Sequence, residues 1–408
     1  MLWRMLQHML TDRNIVVFSD DWGRHPSSCQ HLIKQLLPHN RIVWVNTIGM
    51  RSPRLSLHDV TRSIQVLASW LTRPPETELE VTSNNLTVIS PIIIPYNQLP
   101  LVRGCNRLSV KRKLLKLMAE KGMSDPIVIT TFPCTCDYVG AFGESIHIYY
   151  CVDDFINWPE VKYKLIRDME QILLNSCDLV LATSDELCNA KSIPGKKPLL
   201  LSHGVDFDRF NAFADAVERP EVLSKISKPV IGFFGALSAW LNYDLIAALA
   251  TARPEWSFVF IGPADTDISR ISNYANIHLI GKVPYEQLPR YAACFDVGII
   301  PFQVNELTRS VNPLKLLEYL SLGIPVVSTY MPDVAKFSDV VTIAHSTQDF
   351  LTALDGALED DTQELRQKRI EKARSNSWQS VAERFSQLVM AAEDKINSQP
   401  NFASGLRQ

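Results

Sequence analysis

Lys315 and Glu318 stand three residues apart on a short helix that the sequence predicts between Asn312 and Gly323. Asn312 is a favourable N-cap, Pro313 suits the first helical position, and Gly323 suits a left-handed stop. The free amides of a helix N-terminus favour an anion such as a phosphate, and a lysine one turn in adds a full positive charge. The Glu318 carboxylate, one turn further along, suits the diol of a ribose. The alternative is a solvated ion pair without function.

Two adjacent carboxylates, Asp153 and Asp154, directly follow the apolar run 146–152. Ligands of open α/β sheets bind outside the carboxyl ends of the strands. A carboxylate at this place can accept a hydroxyl proton or stabilise a developing positive charge, so both residues are candidates for catalysis. Either could instead cap the turn that follows.

The first apolar run, 15–18, ends in a polar turn that contains Asp21, Trp22 and His25. These three residues could contact the phosphate of an acceptor or a donor, or they could form a plain turn. The turn lacks the G-x-G-x-x-G fingerprint of dinucleotide-binding domains. A redox enzyme is therefore disfavoured.

Two short motifs carry metal-binding residue types without a complete set of ligands. Asp265 and Asp267 form an Asp-x-Asp pattern, for which a helix cap at Asp267 is the favoured interpretation. Cys134 and Cys136 would supply two of the four ligands of a zinc site. The sequence therefore predicts no metal site.

The segment from Arg103 to Lys121 combines apolar residues with basic residues that face almost no acid. Such a basic amphipathic helix could lie against an anionic membrane surface. An ordinary surface helix with its apolar side in the core is the alternative. Nucleic acid is disfavoured because no aromatic residues interleave with the charges. The basic residues inside the segment are Arg107, Lys111, Arg112, Lys113 and Lys116.

Length and composition favour a globular protein of two domains. The chain has 408 residues, of which 46% are hydrophobic and 21% charged, with a formal net charge of −3. Eight scattered cysteines without CxxC pairs are typical of a reducing compartment. The stretch at 1–14 (MLWRMLQHMLTDRN) is too short and too interrupted by polar residues for a signal peptide. No apolar run along the chain is long enough to span a bilayer. We expect a cytoplasmic protein, which could lie at the inner face of the cell membrane.

Apolar runs with strand character alternate with helical patterns along the chain. This order predicts an α/β protein of two Rossmann-like domains, each with a doubly wound parallel sheet. The expected division is an N-terminal domain at 1–210, a linker at 211–228 and a C-terminal domain at 229–375. A final helix with a tail, 376–408, is expected to cross back and pack on the first domain.

Five segments resemble, in the right order, the two-Rossmann-domain (GT-B) glycosyltransferases, and specifically the bacterial family-4 enzymes of capsule, exopolysaccharide and teichuronic acid synthesis. They are 230–237 (VIGFFGAL), 257–262 (SFVFIG), 276–302 (NIHLIGKVPYEQLPRYAACFDVGIIPF), 312–329 (NPLKLLEYLSLGIPVVST) and 376–378 (NSW). The stretch HGVDFDRF at 203–210 is similar to the hinge of the family, with His203 in place of its asparagine.

The resemblance implies that the C-terminal domain binds a UDP-sugar or GDP-sugar donor. The N-terminal domain would bind a saccharide or lipid-linked acceptor, and transfer would occur in the cleft between the domains without a metal or cofactor. Glu318 matches the carboxylate that holds the ribose hydroxyls. The turn Asn312-Pro313-Leu314 matches the backbone that meets the diphosphate and the sugar. Gly235 matches the glycine loop that faces the phosphates, and we include Ala236 with it.

The sequence departs from the family pattern at two places. Ser310, counted here among the donor-binding residues, stands where family-4 enzymes usually carry a first glutamate, eight positions before Glu318. Residues 239–242 (AWLN) lack the arginine and lysine that usually follow the glycine loop. Lys315 is the candidate that would compensate the charge of the leaving diphosphate in their place, and it is therefore counted among the catalytic residues.

The predicted function is a hexosyltransferase of surface polysaccharide synthesis, for which retention of the anomeric configuration is slightly favoured. Inversion would need a base on the acceptor hydroxyl, for which Asp153 or Asp154 is suitably placed. Two alternatives are a sugar-nucleotide 2-epimerase on the same fold and a nucleotide-sugar-binding assembly subunit of weak activity.

Overall fold

The computed structural model describes residues 9–24, 27–47, 80–94, 96–158, 162–215 and 218–398. His25, one of the predicted acceptor-binding residues, lies outside these ranges. The chain divides into two compact units. The first comprises the residues up to 183, 187–201 and 382 onwards, and the second comprises 184–186 and 202–381.

The first unit is built on a sheet that is parallel except at one edge. Its described strands are β1 (Asn14–Ser19), β2 (Arg41–Asn46), β3 (Glu80–Ser83), β4 (Leu86–Ile89), β5 (Ile127–Thr130), β6 (Ile146–Cys151), β7 (Leu179–Ala182) and β8 (Leu199–Leu200). They lie in the order β3-β4-β2-β1-β5-β6-β7-β8. The edge pair β3 and β4 is antiparallel, and β3 was not predicted from the sequence. The central strands are almost wholly buried, as in a sheet covered by helices on both faces.

The helices of the first unit follow the strands. They are α1 (Ser28–Leu36), α2 (Pro100–Glu120), α3 (Tyr163–Ser176) and α4 (Asp185–Ala190), of which α4 has its first two residues in the second unit. Short 3-10 turns occupy Leu37–His39, Pro133–Tyr138 and Phe155–Asn157. The basic segment predicted at 103–121 is contained in α2 almost entirely.

The second unit repeats this architecture with a sheet whose described strands are all parallel. The strands are β9 (Val230–Phe234), β10 (Ser257–Ile261), β11 (Ile277–Gly281), β12 (Val297–Ile300), β13 (Val326–Thr329) and β14 (Thr342–Ala344), in the order β11-β10-β9-β12-β13-β14. A reversal of strand order around β9 and β12 is the mark of a doubly wound sheet.

The longest helices of the second unit lie toward the end of the chain. They are α5 (Phe207–Asn211), α6 (Glu221–Ser224), α7 (Tyr243–Ala252), α8 (Ser269–Ser272), α9 (Leu288–Ala292), α10 (Glu306–Arg309), α11 (Leu314–Ser321), α12 (Pro332–Ala335), α13 (Thr347–Glu359) and α14 (Gln363–Arg374). A 3-10 turn, Tyr285–Gln287, precedes α9.

The last helix, α15 (Trp378–Ser398), begins in the second unit and belongs to the first from residue 382. Within the first unit, the Glu393 carboxylate pairs with Arg13 and accepts a hydrogen bond from the Ser145 hydroxyl at 3.2 Å. The predicted α/β fold of two Rossmann-like sheets with a returning final helix is therefore confirmed. No helix in the described ranges has the length and apolar character that crossing a bilayer requires.

The second unit begins earlier in the chain than expected. Val205, Phe207 and Phe210 lie in the stretch that was assigned to the end of the first domain, yet they are buried in the core of the second unit. The same stretch is joined to the start of α15, because the Val205 amide donates to the Asn376 carbonyl and the Trp378 amide donates to the Val205 carbonyl, both at 3.0 Å. A Cβ at Gly204 would lie only 2.9 Å from the Trp378 side chain, so glycine is required there.

The helix that carries Lys315 begins one residue later than predicted. Pro313, not Asn312, is the N-cap, with an extended conformation of φ −78° and ψ 112°, and Leu314 is the first helical residue. The prediction that Asn312 caps this helix is therefore wrong. The predicted stop is confirmed, since Gly323 has φ +73°.

Candidate functional site

Helix α11 is fixed against the sheet by its apolar side. Leu316 and Leu317 are buried. The buried Tyr319 hydroxyl lies 3.3 Å from the amide nitrogen of Phe234 and 3.4 Å from the carbonyl oxygen of Gly232, both on β9. These contacts hold the first turn of α11 beside the C-terminal end of β9, which is the edge where α/β sheets bind ligands.

The Lys315 ammonium group lies against Gly235 at that end of β9. Its Nζ is 5.4 Å from the centre of the Phe233 ring and 5.6 Å from that of Phe302, which is within the range of cation–π attraction. A Cβ at Gly235 would lie 2.2 Å from the Cε of Lys315. Burial lowers the pKa of Lys315, and the Glu318 carboxylate acts in the opposite direction. The structure thus brings together three predicted residues: Gly235, Lys315 and Glu318.

The loop after β9 depends on glycine for a second reason. Gly235 has φ +136°, a conformation that residues with a side chain rarely adopt. Its amide donates to the Ile261 carbonyl at 2.8 Å, and a Cβ at Gly262 would lie 2.0 Å from the Gly235 carbonyl oxygen. Ala236, which continues the loop, is partly exposed. Glycine is therefore required at both positions, for the backbone conformation of 235 and for the close approach of the two loops.

Glu318 is a buried carboxylate, with 8% of its surface exposed. Burial raises its pKa to about 7, while Lys315 and a hydrogen bond from Tyr285 lower it and Asp206 raises it further. An ionised Glu318 can accept hydrogen bonds from two neighbouring hydroxyl groups, as a ribose would offer. The N-terminal half of α11 therefore combines a cation, the amides of a helix N-terminus and an acceptor carboxylate.

Tyr285 and Asp206 were given no role by sequence reasoning. Tyr285 begins the 3-10 turn after β11, and Asp206 immediately precedes α5. Both lie in segments that carry the family resemblance, 276–302 and 203–210, and this was the available signal. Neither residue is within ten positions of Glu318 in the sequence, so spacing could not connect them to it.

The turn that leads into α11 contains Ser310 and Asn312. A capping box at the start of α10 holds its beginning, since the Thr308 amide donates to Asn305 Oδ1 at 3.0 Å and the Asn305 amide donates to Thr308 Oγ1 at 3.0 Å. Ser310 is the C-cap of α10, and Leu314 opens α11. These donor-binding candidates therefore occupy a short connection between two helices.

The two acidic candidates of the first unit differ in their surroundings. Asp154 accepts hydrogen bonds from Lys191 Nζ at 2.9 Å and from Asn157 Nδ2 at 2.7 Å. Lys191 is buried and also donates to Glu170 Oε2 at 2.8 Å. Asp154 is thus committed to a buried ion cluster. Burial raises the pKa of Asp153, whose Oδ1 accepts a hydrogen bond from the Asp154 amide at 2.7 Å and which makes no ion pair with the residues that the structure describes.

Asp21 and Trp22 lie in a turn that is organised by their neighbour Asp20. The Asp20 carboxylate accepts hydrogen bonds from Ser27 Oγ at 2.9 Å and Gln30 Nε2 at 2.7 Å. The Trp22 ring meets that of Trp44 edge to face at 4.8 Å. These contacts are those of a well-held turn, and they leave the role of Asp21 and Trp22 in acceptor binding as a prediction.

The Asp-x-Asp pattern is occupied by local hydrogen bonds. Asp265 accepts from Ser238 Oγ at 2.5 Å, and Asp267 accepts from the Ser269 amide at 2.9 Å at the start of α8. Across the described residues, no three His, Cys, Asp or Glu side chains gather as a metal-binding group.

Helix α2 buries one side and leaves a stripe of leucines exposed. Val110, Leu114 and Leu117 are buried in the first unit. Leu101, Leu108 and Leu115, each seven residues apart, are 86%, 59% and 37% exposed. Residues seven apart lie on one face of a helix. Arg112 and Lys116, both exposed, stand beside this stripe. The interpretation of an ordinary surface helix with an apolar side in the core is thus confirmed, and membrane contact stays a prediction.

Residues 228–360 match the family model described as Glycosyl transferases group 1. A protein of Bacillus subtilis strain 168, named as the teichuronic acid biosynthesis glycosyltransferase TuaH, is 26% identical over 232 residues. The match covers 54% of this chain and 58% of that relative, so this chain spans little more than half of the length of the relative.

Solved structures with the same fold cover nearly the whole chain. The Escherichia coli trehalose-6-phosphate structure bound with UDP-2-fluoro glucose is 14% identical with a TM-score of 0.65, over 93% of this chain and 99% of that one. The Anabaena protein HepE in complex with UDP is 15% identical with a TM-score of 0.62, over 92% and 100%. Together with the family match, these likenesses confirm the resemblance to GT-B glycosyltransferases.

Proposed function

We propose that this chain, a GT-B protein with a group 1 glycosyl transferase domain at 228–360, transfers a hexosyl group from a nucleoside diphosphate sugar to a saccharide or lipid-linked acceptor. The observation that carries the proposal is the position of Lys315 against Gly235, with the buried Glu318 one turn further along α11. A cation and a carboxylate that lie one helical turn apart suit the diphosphate and the ribose of one nucleotide. The donor is a UDP-sugar or a GDP-sugar.

Lys315 stabilises the leaving diphosphate in this proposal. The bond between the sugar and the diphosphate breaks with negative charge developing on the phosphate oxygens, and a preorganised cation lowers the energy of that state. The ammonium group lies between two aromatic rings and has lost part of its hydration, so an arriving anion gains more from it than from a solvated lysine. With the amides of α11 beside it, the charge can be compensated without a metal or cofactor.

Asp153 is the candidate base if the reaction inverts the anomeric configuration. A retaining reaction needs a well-held leaving group and a nearby acceptor hydroxyl, and it needs no separate base. Asp154, committed to Lys191, is the weaker candidate for proton transfer. We therefore retain the slight preference for a retaining reaction. The anomeric configuration of the product, measured by nuclear magnetic resonance, decides between the two.

The acceptor is proposed to be part of a surface polysaccharide. The named role of the Bacillus subtilis relative in teichuronic acid synthesis supports this class of product. We propose that the enzyme acts in the cytoplasm, where nucleotide sugars are the activated donors. The acceptor would then be a growing saccharide or its lipid-linked form at the inner face of the membrane.

Contact with an anionic membrane is proposed for the exposed side of α2. The leucine stripe at 101, 108 and 115 would enter the interface, and the neighbouring Arg112 and Lys116 would meet the lipid phosphates. Cosedimentation with phosphatidylglycerol vesicles, and none with phosphatidylcholine vesicles, is the expected result. Replacing the three leucines by serine should abolish it. Equal binding to both lipids, or unchanged binding of the variant, would contradict membrane docking.

Consumption of donors from a mixed pool tests the proposed function. The protein is incubated with UDP-sugars, GDP-sugars and a panel of lipid-linked acceptors, and mass spectrometry records which donor is used. We expect one donor to be consumed with matching extension of an acceptor. Lys315→Met should abolish this, whereas the exposed Lys282→Met, a matched control, should not. An isomerised donor without transfer would overturn the proposal in favour of an epimerase, and bound nucleotide without any turnover would favour a binding subunit.

A further inference from the structure

The Lys315 ammonium group lies against two aromatic rings and one glycine. Its Nζ is 5.4 Å from the centre of the Phe233 ring and 5.6 Å from that of the Phe302 ring. The two rings meet edge to face, with their centres 6.4 Å apart. A Cβ at Gly235 would lie 2.7 Å from the same Nζ, so the lysine passes directly over the bare backbone of that glycine. Three groups near the ends of β9 and β12 thus define one place for the charge.

The position of this cation differs from the one that helical spacing alone would favour. A lysine and a glutamate three residues apart on a helix ordinarily attract each other into an ion pair. Glu318 is buried one turn after Lys315, yet no ion pair joins Lys315 to a carboxylate in the described part of the chain. A cation–π contact with buried rings is stronger than an ion pair on an exposed helix. The rings therefore keep the cation and the carboxylate available for different parts of a ligand.

The Phe302 ring is held in place by the backbone on either side of it. Leu241 and Phe302 form an antiparallel bridge. The Phe302 carbonyl accepts a hydrogen bond from Thr329 Oγ1 at 2.9 Å. Leu241 belongs to the segment 239–242, which lacks the arginine and lysine of the family pattern. This segment supplies no charge to the site, but its backbone fixes one of the two rings.

We propose that Phe302 is a positioning residue of the donor site. Its ring keeps the Lys315 ammonium group apart from Glu318, so that the diphosphate of the donor meets an unpaired cation. Phe233 acts in the same way from β9. This inference rests on the proposed function, because it takes a nucleoside diphosphate as the ligand of the site.

Nucleotide binding by Phe302→Leu tests this role, because the substitution removes the ring and keeps an apolar side chain. Isothermal titration first establishes which of UDP and GDP the wild-type protein binds. The same nucleotide and its nucleoside are then titrated into wild type and variant. We expect affinity for the nucleoside diphosphate to fall about fivefold, which corresponds to about 1 kcal/mol. Affinity for the nucleoside, which carries no phosphate, should stay within about twofold.

A double-mutant cycle separates positioning from a merely structural role. In the Lys315→Met background, Phe302→Leu should cause no further loss of diphosphate affinity, because the ring then has no cation to hold. Phe260→Leu is the matched control: it removes a buried ring whose centre lies 6.0 Å from that of Phe233, and it should leave diphosphate affinity unchanged. The same loss in both backgrounds, equal losses for nucleotide and nucleoside, or no loss at all would overturn the inference.

Phe233→Leu keeps the test open if Phe302→Leu fails to fold, and it should give the same pattern of affinities. A wild-type protein that binds neither UDP nor GDP would refute the proposed function. Wild-type binding that both ring substitutions leave unchanged would instead refute the positioning role alone.

Discussion

Glu318→Gln is expected to stabilise the ligand-free protein at alkaline pH. Glu318 is buried, with 8% of its surface exposed, and burial raises the pKa of its carboxyl group from 4.5 to about 7. The folded protein therefore holds this proton more tightly than the unfolded chain does, and stability falls as the pH rises from 4.5 to 7. Glutamine has the same shape and cannot ionise, so the variant does not carry this cost.

The size of the effect follows from the pKa change. At about 1.36 kcal/mol per pKa unit, the cost of ionised Glu318 is about 3 kcal/mol above pH 7, and less than about 1 kcal/mol at pH 5. For a domain of the size of the second unit, each kcal/mol changes the midpoint of thermal unfolding by roughly 2–4 °C. The variant should thus unfold about 6–12 °C higher than wild type at pH 8, with a much smaller difference at pH 5.

Scanning calorimetry at both pH values is the suitable assay, because it can separate the transitions of two units. Glu306→Gln, at an exposed position in the same unit, is the control and should cause no change. The variant should also bind the nucleotide more weakly, so that stability is gained where function is lost. An unchanged midpoint at pH 8, or the same increase at pH 5 and pH 8, would refute the reasoning.

Three further predictions concern Glu144, Lys191 and Gly235. Glu144→Gln should lower the free energy of unfolding by about 3 kcal/mol at neutral pH and by little near pH 2, as measured by urea denaturation across pH. The Glu144 carboxylate is buried, but hydrogen bonds from His147 and backbone amides hold its pKa down to about 2. Its contribution to stability is therefore present above pH 4.5 and is lost as the pH falls toward 2. A pH-independent loss would contradict this. Lys191→Met leaves two buried carboxylates without their cation and should cost about 3–5 kcal/mol of unfolding free energy, and a neutral effect in urea denaturation would count against the ion cluster. Gly235→Ala should weaken nucleotide binding and cost about 1–3 kcal/mol, because its Cβ would displace Lys315 and φ +136° is strained for alanine; unchanged affinity in titration calorimetry would be inconsistent with the close contact.

The order of strands and helices could be predicted because it depends on local pattern. The apolar runs and the punctuation by glycine and proline locate nearly every parallel strand and the helix at 314–321. The start of that helix was wrong by one residue, because a cap is decided by the backbone conformation at Pro313 and not by the suitability of Asn312 alone. The antiparallel strand β3, which pairs at an edge and has little apolar content, gave no comparable signal.

The candidate site could be predicted in part. Lys315 and Glu318 are close in sequence, so helical spacing and the family resemblance indicate them together. Lys191 reaches its two carboxylate partners through tertiary packing over long separations in sequence, and no pattern of spacing indicates such contacts. The same limit applies to Asp153 and Asp154, which look equivalent in sequence and differ because Lys191 is folded against Asp154, whereas Asp153 accepts a hydrogen bond from the Asp154 amide.

The affinity of the protein for a nucleoside diphosphate, compared with that for the nucleoside alone, tests the central claim most directly. Titration of wild type and Lys315→Met with UDP and uridine, or with GDP and guanosine, isolates the contribution of the diphosphate. Because an interaction with a charged group contributes about 1.5–3 kcal/mol, we predict at least about tenfold weaker diphosphate binding by the variant and unchanged nucleoside binding. Undiminished diphosphate binding by Lys315→Met, with Lys282→Met as control, would contradict the claim that α11 holds the donor diphosphate.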